Sequence, residues 1–286
     1  MDYRIVLSIL LIAHFLGDFY FQSDTMVKKK NDKCLEMIGH GLIYASCVFF
    51  LTFLMFGDSL WLYPLLISAS HLLIDIAKSC LLKCKCTKKH PVRLFFADQA
   101  LHIAIIAVIA YYYATGQEIA YSPLSIKLQD IYNGLQVKLP ASQLIRIVGL
   151  FLFVGKPAGI ITATILETFK NNRQSASEKD QKLWAITGDI AGKEATLHLH
   201  QQSPESTNTN STDQKQKAGR YIGILERYLT VIFFLLNQYT AIAFTLTAKS
   251  IARFKELEKA DFAEQYLIGT LVSLLLAVLS ALILCG

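Results

Sequence analysis

Seven histidine and aspartate side chains fall inside apolar stretches of this sequence, where ionisable groups are costly. An aspartate at the centre of a membrane-spanning helix costs about 2.5–3.5 kcal/mol on membrane-insertion scales, so each such residue is expected to have a polar partner or a functional role. In three stretches a histidine and an aspartate are four residues apart, a spacing that puts both on one face of an α-helix. The seven residues are His14, Asp18, His40, His71, Asp75, Asp98 and His102.

Imidazole nitrogens and carboxylate oxygens are ligands that zinc, manganese and iron accept, so the seven residues predict a divalent metal site, with zinc or manganese expected. Their number suits one ion with supporting groups, or two ions. A metal with an open position lowers the pKa of bound water to about 7 and polarises a phosphoryl oxygen. We therefore expect a metal-dependent hydrolase of a phosphoester or lipid-borne substrate. Asp18, Asp75 and Asp98 are the candidate catalytic carboxylates, one of them serving as the base.

Three further polar residues accompany the seven and are predicted to bind substrate. Gln22 and Gln99 are suited to orient substrate or metal ligands. Lys78 lies one helical turn from Asp75 and is expected either to pair with that carboxylate or to hold a phosphate.

Two other functions fit the same residues. Alternating aspartate and histidine side chains also relay protons or bind transported cations in membrane transporters. Alternatively, the His–Asp pairs only specify helix packing, and the protein is a non-catalytic membrane adaptor or sensor.

The elements that position these residues follow from the composition. Of 286 residues, 53% are hydrophobic and 17% charged, against about 45–50% and about 25% in soluble domains. This balance excludes a disordered chain and predicts an all-α, polytopic transmembrane helix bundle that contacts the lipid bilayer. The net charge of +6 comes from basic residues between the apolar stretches, so no nucleic-acid partner is expected. The sequence does not specify an oligomeric state.

Seven apolar runs have the length of membrane spans, and an eighth is short for a bilayer of about 30 Å. The short run, 239–252, either crosses the membrane or re-enters it. The other runs are 3–22, 38–56, 60–82, 94–114, 135–155, 221–237 and 265–284.

Lysine and arginine counts orient the spans. Four lysines separate the first two spans and five basic residues separate the third and fourth, so these loops are predicted to face the cytosol, with the N-terminus outside. At about 1.5 Å per residue, the seven ligand-type residues then lie within about 16 Å of the cytosolic helix ends. Antiparallel helices should bring them together near the cytosolic leaflet.

The chain divides by composition into four parts. Residues 1–114 form a four-span module, and 115–169 hold an extracytoplasmic loop, span five and a helix that Pro157 should kink or end. Residues 170–218 are a polar cytosolic linker that is suited to recruit a soluble partner, and 219–286 form a C-terminal membrane module.

The C-terminal module places charges inside or beside its spans. We expect Glu226 to form a salt bridge to Arg253 or Lys249, because an isolated charge there would be expensive. The alternative interpretation is a pocket for an anionic head group, formed by Arg227, Lys249 and Arg253 around Glu226.

The pattern of these residues resembles a known bacterial membrane family. The motifs are His14-x3-Asp18-Phe19-x2-Gln22, His40, His71-x3-Asp75-x2-Lys78 and Asp98-Gln99-x2-His102. They resemble the family called domain of unknown function 3307 and, more distantly, predicted inner-membrane metal-dependent hydrolases. Motifs around Gly219–Arg227, Ala248–Phe254 and Tyr266–Leu271 resemble longer members. The resemblance implies a multi-pass protein of the bacterial inner membrane.

Overall fold

The computed structural model of the chain describes residues 3–22, 34–57, 61–83, 91–116, 121–134, 139–188 and 209–285. Over these ranges the secondary structure is helical and contains no strand, so the all-α prediction is confirmed. The loops 23–33 and 84–90, which carry most of the basic residues used to orient the spans, lie outside the described residues.

The helices of the first four apolar runs begin and end close to those runs. Two of the described helices start at a proline, which suits the first helical position because its missing amide proton would have no partner there. The helices are α1 (Tyr3–Phe15), a π-helical turn (Leu16–Tyr20), α2 (Cys34–Phe56), α3 (Leu62–Lys83), α4 (Pro91–Gly116), α5 (Pro123–Gly134), α6 (Ala141–Gly188), α7 (Thr209–Leu235), α8 (Tyr239–Ala252), α9 (Phe254–Leu257) and α10 (Ala260–Cys285).

Within the described ranges, six helical segments are long and apolar enough to cross a membrane, which indicates a multi-pass membrane protein. They are Tyr3–Tyr20, Leu35–Phe56, Leu62–Leu82, Val92–Thr115, Ala141–Asn171 and Ala260–Leu284. The expected spans at 221–237 and 239–252 are helices, α7 and α8, but neither belongs to these six. The 14 residues of α8 extend about 21 Å, which is short of a bilayer core of about 30 Å.

The chain separates into two compact units, residues 1–158 with 276–286, and residues 159–275. In the first unit, α1 packs against α2 and α4, and α3 packs against the same two helices, which closes a four-helix bundle. One half of the bundle interior is apolar and includes Leu10, Val48, Phe56, Ile106 and Tyr113. In the second unit, α7 packs against α8.

The structure adds helices to two stretches that the sequence analysis assigned to a loop and a linker. The stretch 115–134, expected to be a loop, contains α5, which begins at Pro123 and is fastened to the end of α2 by hydrogen bonds from Ser122 and Ser125 to its last carbonyls. The outer parts of the predicted linker are helical, because α6 continues to Gly188 and α7 starts at Thr209; its residues 189–208 lie outside the described residues.

The helix α6 continues through Pro157, which excludes the helix end that the sequence analysis offered as the alternative to a kink, and Tyr20 contacts the backbone just before the proline. The amide of Lys156 donates to the Tyr20 hydroxyl at 3.3 Å, and that hydroxyl donates to the Leu152 carbonyl at 3.0 Å. Residues 152 and 156 would bond directly in an uninterrupted helix. The Tyr20 hydroxyl therefore forms hydrogen bonds with both backbone groups, the Lys156 amide and the Leu152 carbonyl.

Candidate metal centre

The four-helix bundle buries all seven of the ligand-type residues in the half of its interior that is not apolar. None of them is more than 8% exposed. Ionisable side chains are almost never this buried unless they are paired or bind a metal. The convergence follows from helix periodicity, since the four-residue spacing puts each His–Asp pair on the inward face of its helix.

The closest contacts are between side chains of the π-helical turn, α2 and α3. His40 Nε2 lies 3.2 Å from Asp18 Oδ1 and 3.4 Å from Asp75 Oδ2. His71 Nε2 lies 3.7 Å from Asp18 Oδ1, and its Nδ1 lies 3.9 Å from Asp75 Oδ2. Two imidazoles thus face the same two carboxylates, and we call His40, His71, Asp18 and Asp75 the central quartet.

Two groups of side chains within the described residues offer atoms that lie within 4.8 Å of one another and could hold a metal ion. One is His14, Asp18 and His71, and the other is His40, His71 and Asp75. His71 belongs to both groups, so it stands at the middle of the candidate centre.

The imidazole nitrogens of His40, His71 and His102 are buried, and none has a hydrogen-bond partner among the residues that the structure describes. Carboxylate oxygens lie 3.2 and 3.4 Å from His40 Nε2, and 3.7 and 3.9 Å from the His71 nitrogens, which is beyond hydrogen-bond distance. Buried polar atoms without hydrogen bonds are rare in folded proteins. Each neutral imidazole has one nitrogen lone pair, so these rings and the carboxylates that face them could bind a shared cation.

His14 differs from the other three histidines because both of its nitrogens have neighbours. Its Nδ1 lies 3.3 Å from the Tyr44 hydroxyl, and its Nε2 lies 3.3 Å from Gln99 Oε1. His102 stacks on His71 with ring centroids 4.3 Å apart. These contacts place His14 and His102 around the central quartet.

Asp98, Gln99 and Lys78 form a second hydrogen-bonded group. Lys78 Nζ donates to Asp98 Oδ2 at 2.6 Å, and Gln99 Nε2 donates to Asp18 Oδ2 at 2.9 Å and to Asp98 Oδ2 at 3.2 Å. The sequence named Asp75 as the partner of Lys78, whereas the structure shows Asp98, on the neighbouring helix, in that position. Gln22 follows the π-helical turn and is half-buried.

Sequence reasoning missed Tyr44, which contacts two of the histidines. Its ring stacks on His71 with centroids 3.6 Å apart, and its hydroxyl approaches His14. The available signal was its position four residues after His40, on the same face of α2.

The π-helical turn shapes the backbone that carries Asp18. Such turns insert one extra residue into a helix and are common at functional sites. A Cβ atom at Gly17 would lie 2.9 Å from Tyr44 Cδ2 and 3.1 Å from Tyr44 Cα, so only glycine lets the turn approach α2 this closely. Lys156 Nζ lies 3.4 Å from the carbonyl oxygens of Phe19 and Tyr20 and stabilises the end of the turn.

The second unit contains the other predicted charged cluster. Lys249 Nζ donates to Glu226 Oε2 at 2.5 Å, which confirms one of the two expected salt bridges. Arg253 pairs instead with Glu256, with the closest atoms 3.7 Å apart. Arg227 is buried, with 5% of its surface exposed.

Comparisons with curated proteins and with solved structures give no significant match. The N-terminal part of the chain does match a family model, and the match begins in α1 and ends in α5. It confirms, over this range, the resemblance inferred from the motifs. Residues 6–127, which carry all seven of the buried histidines and aspartates, match the family described as "Protein of unknown function (DUF3307)".

Proposed function

We propose that the four-helix bundle binds a divalent metal ion, zinc or manganese, and hydrolyses a phosphoester or related lipid-borne substrate at one face of the membrane. The observation that carries this proposal is the central quartet. The nitrogens of His40 and His71 have no hydrogen-bond partner among the described residues and lie 3.2–3.9 Å from oxygens of Asp18 and Asp75. The membrane is proposed to be a bacterial inner membrane, with the N-terminus outside, from the family resemblance and the basic loops.

The donor set supports a metal better than it supports packing alone. Two imidazoles and two carboxylates form a mixed nitrogen and oxygen environment that zinc and manganese accept. In each of the two candidate groups the ligand atoms lie within 4.8 Å of one another, a range that includes the separation of atoms that bind one ion at about 2.0–2.2 Å. A network that existed only for packing would be expected to satisfy its own nitrogens with hydrogen bonds.

The remaining polar residues supply roles for a hydrolytic reaction. A bound metal would activate water and polarise a phosphoryl oxygen. Asp98 Oδ2 is engaged by Lys78 and Gln99, whereas its Oδ1 is buried without a hydrogen-bond partner among the described residues and is suited to accept a proton from water. Lys78, with 17% of its side chain exposed, is the group through which an anionic substrate would approach.

The arrangement of the bundle interior favours chemistry at one face over transport. The polar residues occupy one half of the interior, and the apolar cluster around Leu10, Val48 and Phe56 fills the other half. Passage of a proton or cation needs polar groups or water along the whole route. The side chains of Leu10, Val48 and Phe56 offer no group that carries a proton or binds a cation, so we rank hydrolysis above transport.

Elemental analysis of the purified full chain tests the metal. Wild type purified without chelators is expected to contain about one equivalent of zinc or manganese, and His40→Ala and Asp75→Asn should lose most of it. Ser46→Ala is the matched control, because Ser46 lies on the same helix as His40, is exposed, and donates its hydroxyl to the Leu42 carbonyl of that helix. A wild-type stoichiometry near zero would end the metal proposal.

Phosphate release tests the reaction. Metal-loaded protein in mixed micelles should release inorganic phosphate from a lipid phosphomonoester, and Asp98→Asn should slow release by about 100-fold or more while retaining the metal. The protein could instead bind metal but release no phosphate from phosphate mono- or diesters, and show a flux that depends on a proton gradient in proteoliposomes. That result would contradict the hydrolase proposal and support a transporter.

A further inference from the structure

The second unit encloses a small polar cavity that the proposed metal chemistry does not use. Its volume of about 20 Å³ admits about one water-sized atom. Its polar lining consists of Glu226, Arg227, Thr230, Lys249, Thr270 and Ser273.

The charges that line this cavity do not cancel. Arg227 and Lys249 are cationic and Glu226 is anionic, so the described lining carries a net charge of +1. Lys249 and Glu226 pair at 2.5 Å and keep about a fifth of their side chains exposed, at 20% and 21%, whereas Arg227 is almost fully buried. The lining thus carries a net positive charge, and Lys249 and Glu226 are its partly exposed charged members.

Hydroxyl groups complete the lining and offer donors. The buried Thr270 Oγ1 has no hydrogen-bond partner in the part of the chain that the structure describes. Ser273 Oγ lies 3.5 Å from Arg227 Nη1. An anion that entered the cavity would meet a guanidinium, an ammonium and at least one hydroxyl that is able to donate.

The position of Arg227 depends on a glycine of α6 in the same unit. A Cβ atom at Gly159 would lie 2.9 Å from Arg227 Nη2. The glycine leaves room for the guanidinium beside the α6 backbone, which keeps the charge at the cavity and not at the lipid surface.

We propose that this cavity binds one oxygen of a phosphate group, with the rest of the group outside the opening beside Lys249. Arginine and lysine are the usual partners of phosphate oxygens, and one phosphodiester charge would neutralise the lining. The phosphate belongs either to an anionic lipid head group or to free phosphate. This proposal is independent of the metal and of the hydrolytic reaction.

Thermal unfolding of the full chain in a neutral detergent tests the proposal, because a ligand that binds only the folded state raises the unfolding temperature. Inorganic phosphate and phosphatidylglycerol are the two probes, and uncharged diacylglycerol is the lipid control. A rise with phosphatidylglycerol alone identifies a lipid head group, and a rise with inorganic phosphate identifies free phosphate. No rise with either probe, or an equal rise with sodium chloride, overturns the proposal.

Substitutions in the cavity lining test whether the phosphate probe binds there. Thr270→Val, which preserves side-chain shape, and Lys249→Gln should each weaken the apparent affinity for the effective probe by about tenfold or more. Arg173→Gln is the matched control, because Arg173 is an exposed cation of the same unit that already pairs with Asp261 and Glu264. If Thr270→Val folds and binds the probe as tightly as wild type, the phosphate binds elsewhere and the proposal fails.

Discussion

The ring of Tyr44 stacks on the imidazole of His71, with centroids 3.6 Å apart and planes inclined by 21°. His102 also stacks on His71, at 4.3 Å. These stacked neighbours hold the plane of the one histidine that belongs to both candidate metal groups. Tyr44 therefore acts on the centre through His71 and His14, as a positioning residue.

Removal of the Tyr44 ring is expected to weaken metal binding more than removal of its hydroxyl. Residues that support metal ligands typically contribute 10–100-fold to affinity. We expect Tyr44→Ala to lower the affinity by that amount and Tyr44→Phe, which preserves the stacking, by less than about tenfold. Competition with a fluorescent zinc chelator measures both. Equal losses in the two variants would assign the effect to the hydroxyl contact with His14.

The substitution Gly17→Ala should destabilise the bundle. Its methyl group would lie 2.9 Å from Tyr44 Cδ2 and 3.1 Å from Tyr44 Cα, and the second of these is backbone that cannot rotate away. Overpacking of this kind costs about 1–3 kcal/mol. The free energy of unfolding in detergent reports the change. Gly134→Ala is the control, because within the described structure nothing lies within 4 Å of a Cβ atom there.

Tyr20→Phe should loosen the contact between the π-helical turn and α6. The variant removes the hydroxyl that bridges the Lys156 amide and the Leu152 carbonyl. The hydrogen bonds that are lost are exposed or only part-buried, so we expect a cost of about 0.5–1.5 kcal/mol. Backbone hydrogen exchange at Lys156 should accelerate, while Tyr112→Phe, at an exposed position of α4, should leave the exchange rate unchanged. Unaltered exchange in Tyr20→Phe would show that the helix re-forms the direct bond.

Lys78→Met should destabilise the first unit, because it leaves the carboxylate of Asp98 buried without its ammonium partner. The two side chains are 17% and 2% exposed, and breaking a pair this buried costs about 3 kcal/mol. The double variant Lys78→Met with Asp98→Asn should recover most of that loss, since the uncompensated charge is gone. Chemical denaturation compares the variants, and elemental analysis should find metal in all of them. A double variant that is no more stable than Lys78→Met would argue against the ion pair.

The sequence by itself determined the composition of the candidate centre. His14 with Asp18, His71 with Asp75 and Asp98 with His102 share helix faces because the period of an α-helix is local. Because neighbouring helices run in opposite directions, these three pairs are expected at a similar depth in the membrane. The Glu226–Lys249 salt bridge was also among the expectations, because an isolated charge in a membrane span is expensive.

Only the tertiary structure decided how these groups meet. The partner of Lys78 is Asp98, on another helix, and the rotation of α3 against α4 that selects it is set by packing along both helices. The π-helical turn, the stacking of Tyr44 on His71 and the continuation of α6 through Pro157 likewise depend on contacts between helices. Helical periodicity places a residue on a face of its own helix, but which residue lies opposite depends on how the neighbouring helices are rotated and how closely they approach.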